Sequence, residues 1–197
     1  QRQSENIRAF LLQTSILDKM CGPLCQSVLD ARPEEPVDGQ AMLESLERMN
    51  LFVIPLDDER RWYRYHHLFA DVLRKRLEQH YPDALPRLHA RASQWFDQHG
   101  LLSEAIRHSL TGGDQERAIQ LIEQNAPVLI MSGELNALSN WIKAVETRFQ
   151  THPWFHIIKA WLSILTGRPE RAEEEFQVAE KLMSSLEAGT EIKLTRG

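Results

Sequence analysis

One histidine, His66, occupies the place in this sequence where an imidazole is best set to meet an anion. It lies in the string Tyr63-Arg64-Tyr65-His66-His67-Leu68-Phe69, where an alternating aromatic and basic run gives way to helical spacing. A side chain at a helix start sits beside unpaired backbone N–H groups and the positive end of the helix dipole, which favour phosphate or carboxylate. The competing reading is structural: a histidine that caps the helix or fills the end of a hairpin. Other chemistry is sparse. The sequence contains no phosphate-cradling Gly-rich loop closed by Lys-Ser/Thr, no Gly-x-Ser-x-Gly, no zinc-protease histidine pair and no dinucleotide glycine pattern. No nucleophile, base and orienting group fall together, so no catalytic residue and no enzyme activity is expected.

Metal binding is not expected either. Among eight histidines, His152 and His156 have the spacing of one helix face, but Pro153 lies between them near a helix start and no third ligand is obvious. Cys21 and Cys25 are the two cysteines, set four apart in a helical pattern. That is too few for a structural metal or a disulfide framework, and a reducing cytoplasm is the default compartment.

The elements that must position these residues follow from periodicity. Residues 4–13 place Ile7, Phe10 and Leu11 on one helical face behind a Ser cap, and residues 20–30 repeat this with Leu24, Val28 and Leu29. Residues 32–39, rich in Pro and acid, read as a loop. A third helix, 40–49, turns Met42, Leu43, Leu46 and Met49 inward. The period then changes: residues 51–56 and 62–65 read as a hairpin around a polar tip, Asp57 to Arg60. A further strand is able to pair beside the N-terminal helices. A fourth helix, 67–80, is expected to bury Leu68, Phe69, Val72, Leu73 and Leu77.

Three short helices followed by a hairpin is the order of a winged helix. Beyond Pro82 everything reads as helix. There Gly167, Ala172, Phe176 and Ala179 match the second helix of a tetratricopeptide repeat, in which small residues admit a close neighbour. Weaker copies start at Gly100 and Gly113. The expectation is a mostly α protein, with a winged-helix domain at 1–82 and the start of a tetratricopeptide-like helical superhelix at 83–197. Residues 188–197 have no partner helix in this sequence and are expected to be disordered or to cover an exposed end.

The 197 residues are 42% hydrophobic and 26% charged, the proportions of a globular protein, so disordered, collagen-like and coiled-coil readings fall away. Net charge is −5 and spread over both halves, which gives no general attraction for nucleic acid or an anionic membrane. The longest apolar runs are about a third of a membrane span. The first residue is Gln1, and the sequence reads as a piece of a longer chain.

Three ordered strings carry a family resemblance: Phe10-Leu-Leu-Gln-Thr-Ser-Ile-Leu17, Arg64-Tyr-His-His-Leu-Phe69, and Trp95-Phe-Asp-Gln-His-Gly-Leu-Leu-Ser-Glu-Ala-Ile106. Over nearly its whole length the sequence resembles the MalT-type transcriptional regulators, large LuxR-family activators within the signal-transduction ATPases with numerous domains. The resemblance implies an N-terminal P-loop ATPase domain, a winged helix, a superhelix of tetratricopeptide-like repeats and a C-terminal helix-turn-helix, of which this sequence holds the middle. It also implies that a winged-helix histidine contacts the β-phosphate of ADP in the closed, inactive state. His66 matches that position and His67 is its neighbour and competitor. The partners implied are the ATPase domain of the same chain with its ATP or ADP, a small-molecule or protein inducer on the repeats, DNA through the helix-turn-helix alone, and other copies of the active protein. No cofactor is expected in this segment by itself.

Two other classes compete. A winged-helix DNA-binding protein needs a basic or amide-rich third helix, yet residues 40–49 offer Glu44, Glu47 and only Arg48, and the wing tip is acidic. Arg64, Arg74, Lys75 and Arg76 form a small basic group that a solvated helix face explains better. A scaffold whose repeats bind protein or peptide is permitted by the repeats, with no ligand identified.

Overall fold

The structure is a computed structural model that describes residues 2–29 and 37–194. Most of the expected loop, residues 30–36, lies outside the described residues, as do residues 195–197 of the expected terminal stretch. The chain forms two compact units, Gln1–Asp114 and Gln115–Gly197.

The first unit contains α1 (Arg2–Thr14), α2 (Gly22–Val28), α3 (Gly39–Arg48), β1 (Val53–Pro55), β2 (Tyr63–Tyr65), α4 (His67–His80), a 3₁₀ turn (Pro82–Ala84), α5 (Leu85–Gln98) and α6 (Leu102–Thr111). Helix α2 opens on Gly22 with Pro23 in its first turn, where a missing N–H costs nothing. Asp38 starts α3 by accepting the N–H groups of Gln40 and Ala41 at 3.0 and 3.1 Å. The starts of α2 and α3 touch: a Cβ on Gly39 would strike the Gly22 carbonyl oxygen, so only glycine fits there.

β1 and β2 pair antiparallel, with Val53 opposite Tyr65 and Ile54 opposite Arg64. Met20 supplies a third pairing through two 2.8 Å bonds with Tyr63. Alternation along β2 buries Tyr63 and Tyr65 and leaves Arg64 outside. Thr14 donates its hydroxyl hydrogen to the Phe10 carbonyl at 2.7 Å, so the Tyr65 hydroxyl, 2.7 Å away, must donate to Thr14. That bond fixes the hairpin to α1.

The inward face of α4 differs from the expectation. Ala70, Leu73 and Leu77 are buried, whereas Leu68 and Val72 are 63% and 50% exposed. Apolar residues occur on two faces of this helix, so period alone could not select the one facing the core. Met49 likewise follows the last turn of α3 and is exposed.

The first compact unit includes α5 and α6. Helix α5 packs on α2, and Arg91 on α5 donates to the Val28 and Leu29 carbonyls that end α2. Trp62 meets the Trp95 ring edge-on, with centroids 6.3 Å apart, and Lys19 pairs with Glu104 at 2.6 Å.

The second unit is α7 (Gln115–Met131), α8 (Leu135–Phe149), α9 (Pro153–Leu165) and α10 (Pro169–Leu194), each packed on its neighbour in sequence. Among the described residues no strand follows residue 65. Helices α7 and α9 end in the same way. Gly133 and Gly167 adopt φ of +79° and +76°, and the next N–H bonds the carbonyl five residues back, Glu134 to Leu129 and Arg168 to Ser163. The cap recurs at Gly100 and Gly113 in the first unit. At Gly167 an added Cβ would meet open space, so this glycine serves the turn and not a close helix contact. Five residues past the four glycines lie Ala105, Ala118, Leu138 and Ala172, all buried. The copy at Gly133 escaped the sequence pattern because leucine stands where the others have alanine. Ala172 and Ala179 are buried along α10, while Phe176 between them is 37% exposed.

Candidate functional site

The start of α4 is built by the hairpin. His66 follows β2 with φ −58° and ψ 134°, then the chain turns into the helix at His67. The His66 N–H donates to the Phe52 carbonyl at 2.8 Å, and the His66 carbonyl accepts the N–H groups of Phe69 and Ala70 at 2.9 and 3.0 Å. Its backbone is therefore fixed on both sides. Its imidazole makes no capping bond, and no acidic side chain lies in the first turn of α4. The first N–H groups of a helix have no partner within it, so this helix start keeps its positive character.

His66 is half-buried and His67 is exposed, with ring centroids 4.4 Å apart and planes inclined by 31°. Arg64 lies outward on β2, two residues before His66. The Phe69 ring packs on Phe52 at 5.1 Å and against Tyr65 at 5.8 Å, which anchors the first turn of α4 to the strands. An anion arriving here would meet imidazole and the positive end of the helix dipole, and no carboxylate from the first turn of α4.

The other sequence candidates go to different places. His152 precedes α9 and is exposed, while His156 on α9 is buried, bonded through Nδ1 to Glu175 at 2.6 Å and through Nε2 to the Gln150 carbonyl at 2.7 Å. The two therefore do not share a site. Among the described residues no group of three or more His, Cys, Asp or Glu side chains is placed to hold a metal ion. Cys21 and Cys25 are free and buried, and burial pushes both thiols up from their ordinary range.

Sequence reasoning missed two buried histidine clusters. On α5 and α6, His89 and His108 are buried with their Nδ1 atoms 2.9 Å apart, beside a 2.7 Å Ser93–Ser109 hydroxyl bond. Desolvation, helped by Arg107, lowers His89 to about 4 and His108 to about 3. On α9 and α10, Glu175 holds both His156 and Lys159, the latter at 2.8 Å. The available signal was weak: a histidine on one helix and a histidine or a glutamate on the next.

Residues 1–85 match the family described as the MalT winged helix domain. The chain is 31% identical over 179 residues to the HTH-type transcriptional regulator MalT of Klebsiella pneumoniae (strain 342), covering 87% of this chain and 19% of that protein. It is 33% identical over 156 residues to the protein of the same name from Cronobacter sakazakii, covering 79% of this chain and 17% of the other. The chain carries a winged helix domain of the MalT type. It is also 34% identical over 167 residues to the serine/threonine-protein kinase PknK of Mycobacterium tuberculosis, covering 84% of this chain and 15% of that one. It thus spans less than a fifth of the length of these relatives. The hairpin and His66 lie inside the matched winged helix domain, whereas α5 and α6, which complete the first compact unit, lie beyond residue 85 or begin at its edge. Among the described residues no helix is long and apolar enough to cross a membrane.

Proposed function

We propose that this chain is the regulatory middle of an ATP-dependent transcriptional activator of the MalT type. Its winged helix acts as a latch that reads the nucleotide held by a P-loop ATPase domain of the same protein, and its later helices begin an inducer-sensing arm of tetratricopeptide-like repeats. His66 donates a hydrogen bond to a phosphate of ADP in the closed state, with His67 beside it. In this reading the chain is not itself an enzyme, acts in the cytoplasm and leaves DNA binding to a separate helix-turn-helix. The inducer is a small molecule or a protein, and the active protein self-associates.

The observation that carries the reading is the start of α4: a backbone held on both sides at His66, an imidazole that makes no capping bond, and a first turn without acid. That combination suits an incoming phosphate. The alternative role as a helix cap is not supported by the side-chain bonding. The likeness to a protein named as a kinase favours a module shared by regulators with different outputs over a dedicated DNA reader. Glu44 is bonded to Gln40 and Glu47 to Arg60 along α3, the helix that a DNA-binding winged helix would insert.

The test uses the full-length protein that carries this chain. A charge-assisted hydrogen bond of about 1.5–3 kcal/mol corresponds to roughly 10- to 100-fold in affinity. His66→Ala is expected to speed ADP release by about that factor and to raise reporter output without inducer. An effect confined to His67→Ala moves the phosphate contact one residue along, and no effect from either removes the latch. Tight, sequence-selective duplex binding by the isolated chain at physiological salt, lost on reversing Arg48, would favour the DNA-binding reading.

A further inference from the structure

We propose that Phe52 and Phe69 are positioning residues for His66, joined through their rings into a clamp that sets the imidazole at the start of α4. The inference rests on the latch reading for its purpose and on the bonding around His66 for its geometry. The His66 N–H donates to the Phe52 carbonyl at 2.8 Å, and the His66 carbonyl accepts the Phe69 N–H at 2.9 Å. The rings of those same two residues meet, with centroids 5.1 Å apart and planes inclined by 35°. The residue that holds the N–H of His66 is thus packed on a residue that holds its carbonyl. The contacts close a ring around His66.

The backbone at Phe52 carries a strain that core packing does not offset. Its φ is +57°, in the left-handed region that a bulky side chain disfavours. Asn50, two residues earlier, has φ of +53°, a conformation that asparagine adopts readily. Glycine or asparagine at position 52 would make the same turn with less strain. Phenylalanine stands there instead, and it is 58% exposed. What its ring does make is the contact with Phe69, which is itself held edge-on against the buried Tyr65 at 5.8 Å. Strained residues of this kind concentrate where a functional group must be held in one place.

The left-handed turn aims the Phe52 carbonyl at the His66 N–H, and the ring contact keeps the start of β1 and the first turn of α4 together. Without the ring, that hydrogen bond loses the packing that supports it, and the backbone of His66 gains freedom. The imidazole then spends less time beside the unpaired N–H groups of the helix. Phe52 and Phe69 act through His66 and need not touch phosphate themselves.

The test separates the ring from the backbone. Phe52→Asn keeps a residue suited to the left-handed turn and removes the ring, whereas Phe52→Tyr keeps the ring. In the 197-residue chain, hydrogen exchange of the His66, Phe69 and Ala70 amides is compared with that of Met20 and Tyr81, which bond in the hairpin and at the far end of α4. Phe52→Asn is expected to lower protection of the first three by roughly two- to tenfold relative to the last two, the range for one aromatic contact. Phe52→Tyr is expected to preserve it. Unchanged relative protection in Phe52→Asn overturns the proposal whatever happens to nucleotide. In the full-length protein, Phe52→Asn is expected to speed ADP release by roughly two- to tenfold, with no further increase when it is combined with His66→Ala. Additive effects in the double variant, or loss in Phe52→Tyr equal to that in Phe52→Asn, overturn the proposal while leaving the latch in place. If His66→Ala by itself leaves ADP release unchanged, the latch reading fails and the exchange measurement alone decides the clamp.

Discussion

His89 and His108 face one another across the buried α5–α6 seam with their Nδ1 atoms 2.9 Å apart, and one proton must lie between them. Arg107 Nη2 donates to His108 Nε2 at 3.2 Å, so that nitrogen is an acceptor and the His108 hydrogen sits on Nδ1. His108 therefore donates to His89, and both rings are neutral. The Phe96 ring stacks on His108 at 5.3 Å, leaving no room for water to solvate a charge on that face.

This pair makes the first unit sensitive to acid. Both folded values, about 4 and about 3, lie below the ordinary 6.5, chiefly through desolvation. A group lowered in the folded state contributes stability that is complete above 6.5 and is lost as pH falls through 6.5 toward the folded value. Denaturant unfolding of the first unit should therefore lose about 2 kcal/mol for each histidine, about 4 kcal/mol for the pair, between pH 7 and pH 5. A His89→Phe/His108→Phe double variant should flatten that slope. An unchanged slope in the double variant would place the acid sensitivity elsewhere.

The Thr14–Tyr65 bond gives a second expectation. Tyr65 is buried, its hydroxyl is driven upward by desolvation, and Thr14 is its hydrogen-bond acceptor. Thr14→Val keeps the shape and strands that hydroxyl, a cost of about 1–3 kcal/mol. Thr14→Ser keeps the acceptor and should cost less. Equilibrium unfolding of the two variants side by side is the measurement.

In the second unit, Ala172 and Ala179 are 3% and 1% exposed. Ala172→Leu should overpack the contact with α9 and cost roughly 1–3 kcal/mol. Phe176→Ala, at a position more than a third exposed, should cost less than Ala172→Leu. Thermal melts of the two variants decide the order, and the reverse ranking would contradict the packing described for α10.

Cys21 and Cys25 should be inert in the folded chain. Both are buried with raised thiols, and only the thiolate reacts. Iodoacetamide at pH 8 should label neither until denaturant is added, at which point both react. Prompt labelling of Cys25 in the native chain would show that the α2 core opens far more readily than its packing implies.

Much of the architecture was legible in the chain. The change from helical to alternating period located the hairpin, because a pleated strand exposes every second side chain and a helix does not. Tyr63 and Tyr65 inward with Arg64 outward is that alternation realised. The buried alanines of α10 were legible because close helix contact demands small residues. His66 was legible as a strand-to-helix boundary residue, and its place at the start of α4 follows from local spacing.

What the tertiary structure alone decided lies where two distant segments meet. Sequence could not choose between the two apolar faces of α4, since Leu68 and Val72 are as hydrophobic as Leu73 and Leu77. Contact with α1 settled which face was buried. It could not attach α5 to α2 either, because the Arg91 bonds to Val28 and Leu29 cross more than sixty residues. The pairings of His89 with His108 and of His156 with Glu175 were hidden for the same reason. Periodicity records which side of a helix turns inward, but the partner of a buried polar group is set by the neighbouring helix, and only packing brings the two side chains within bonding distance.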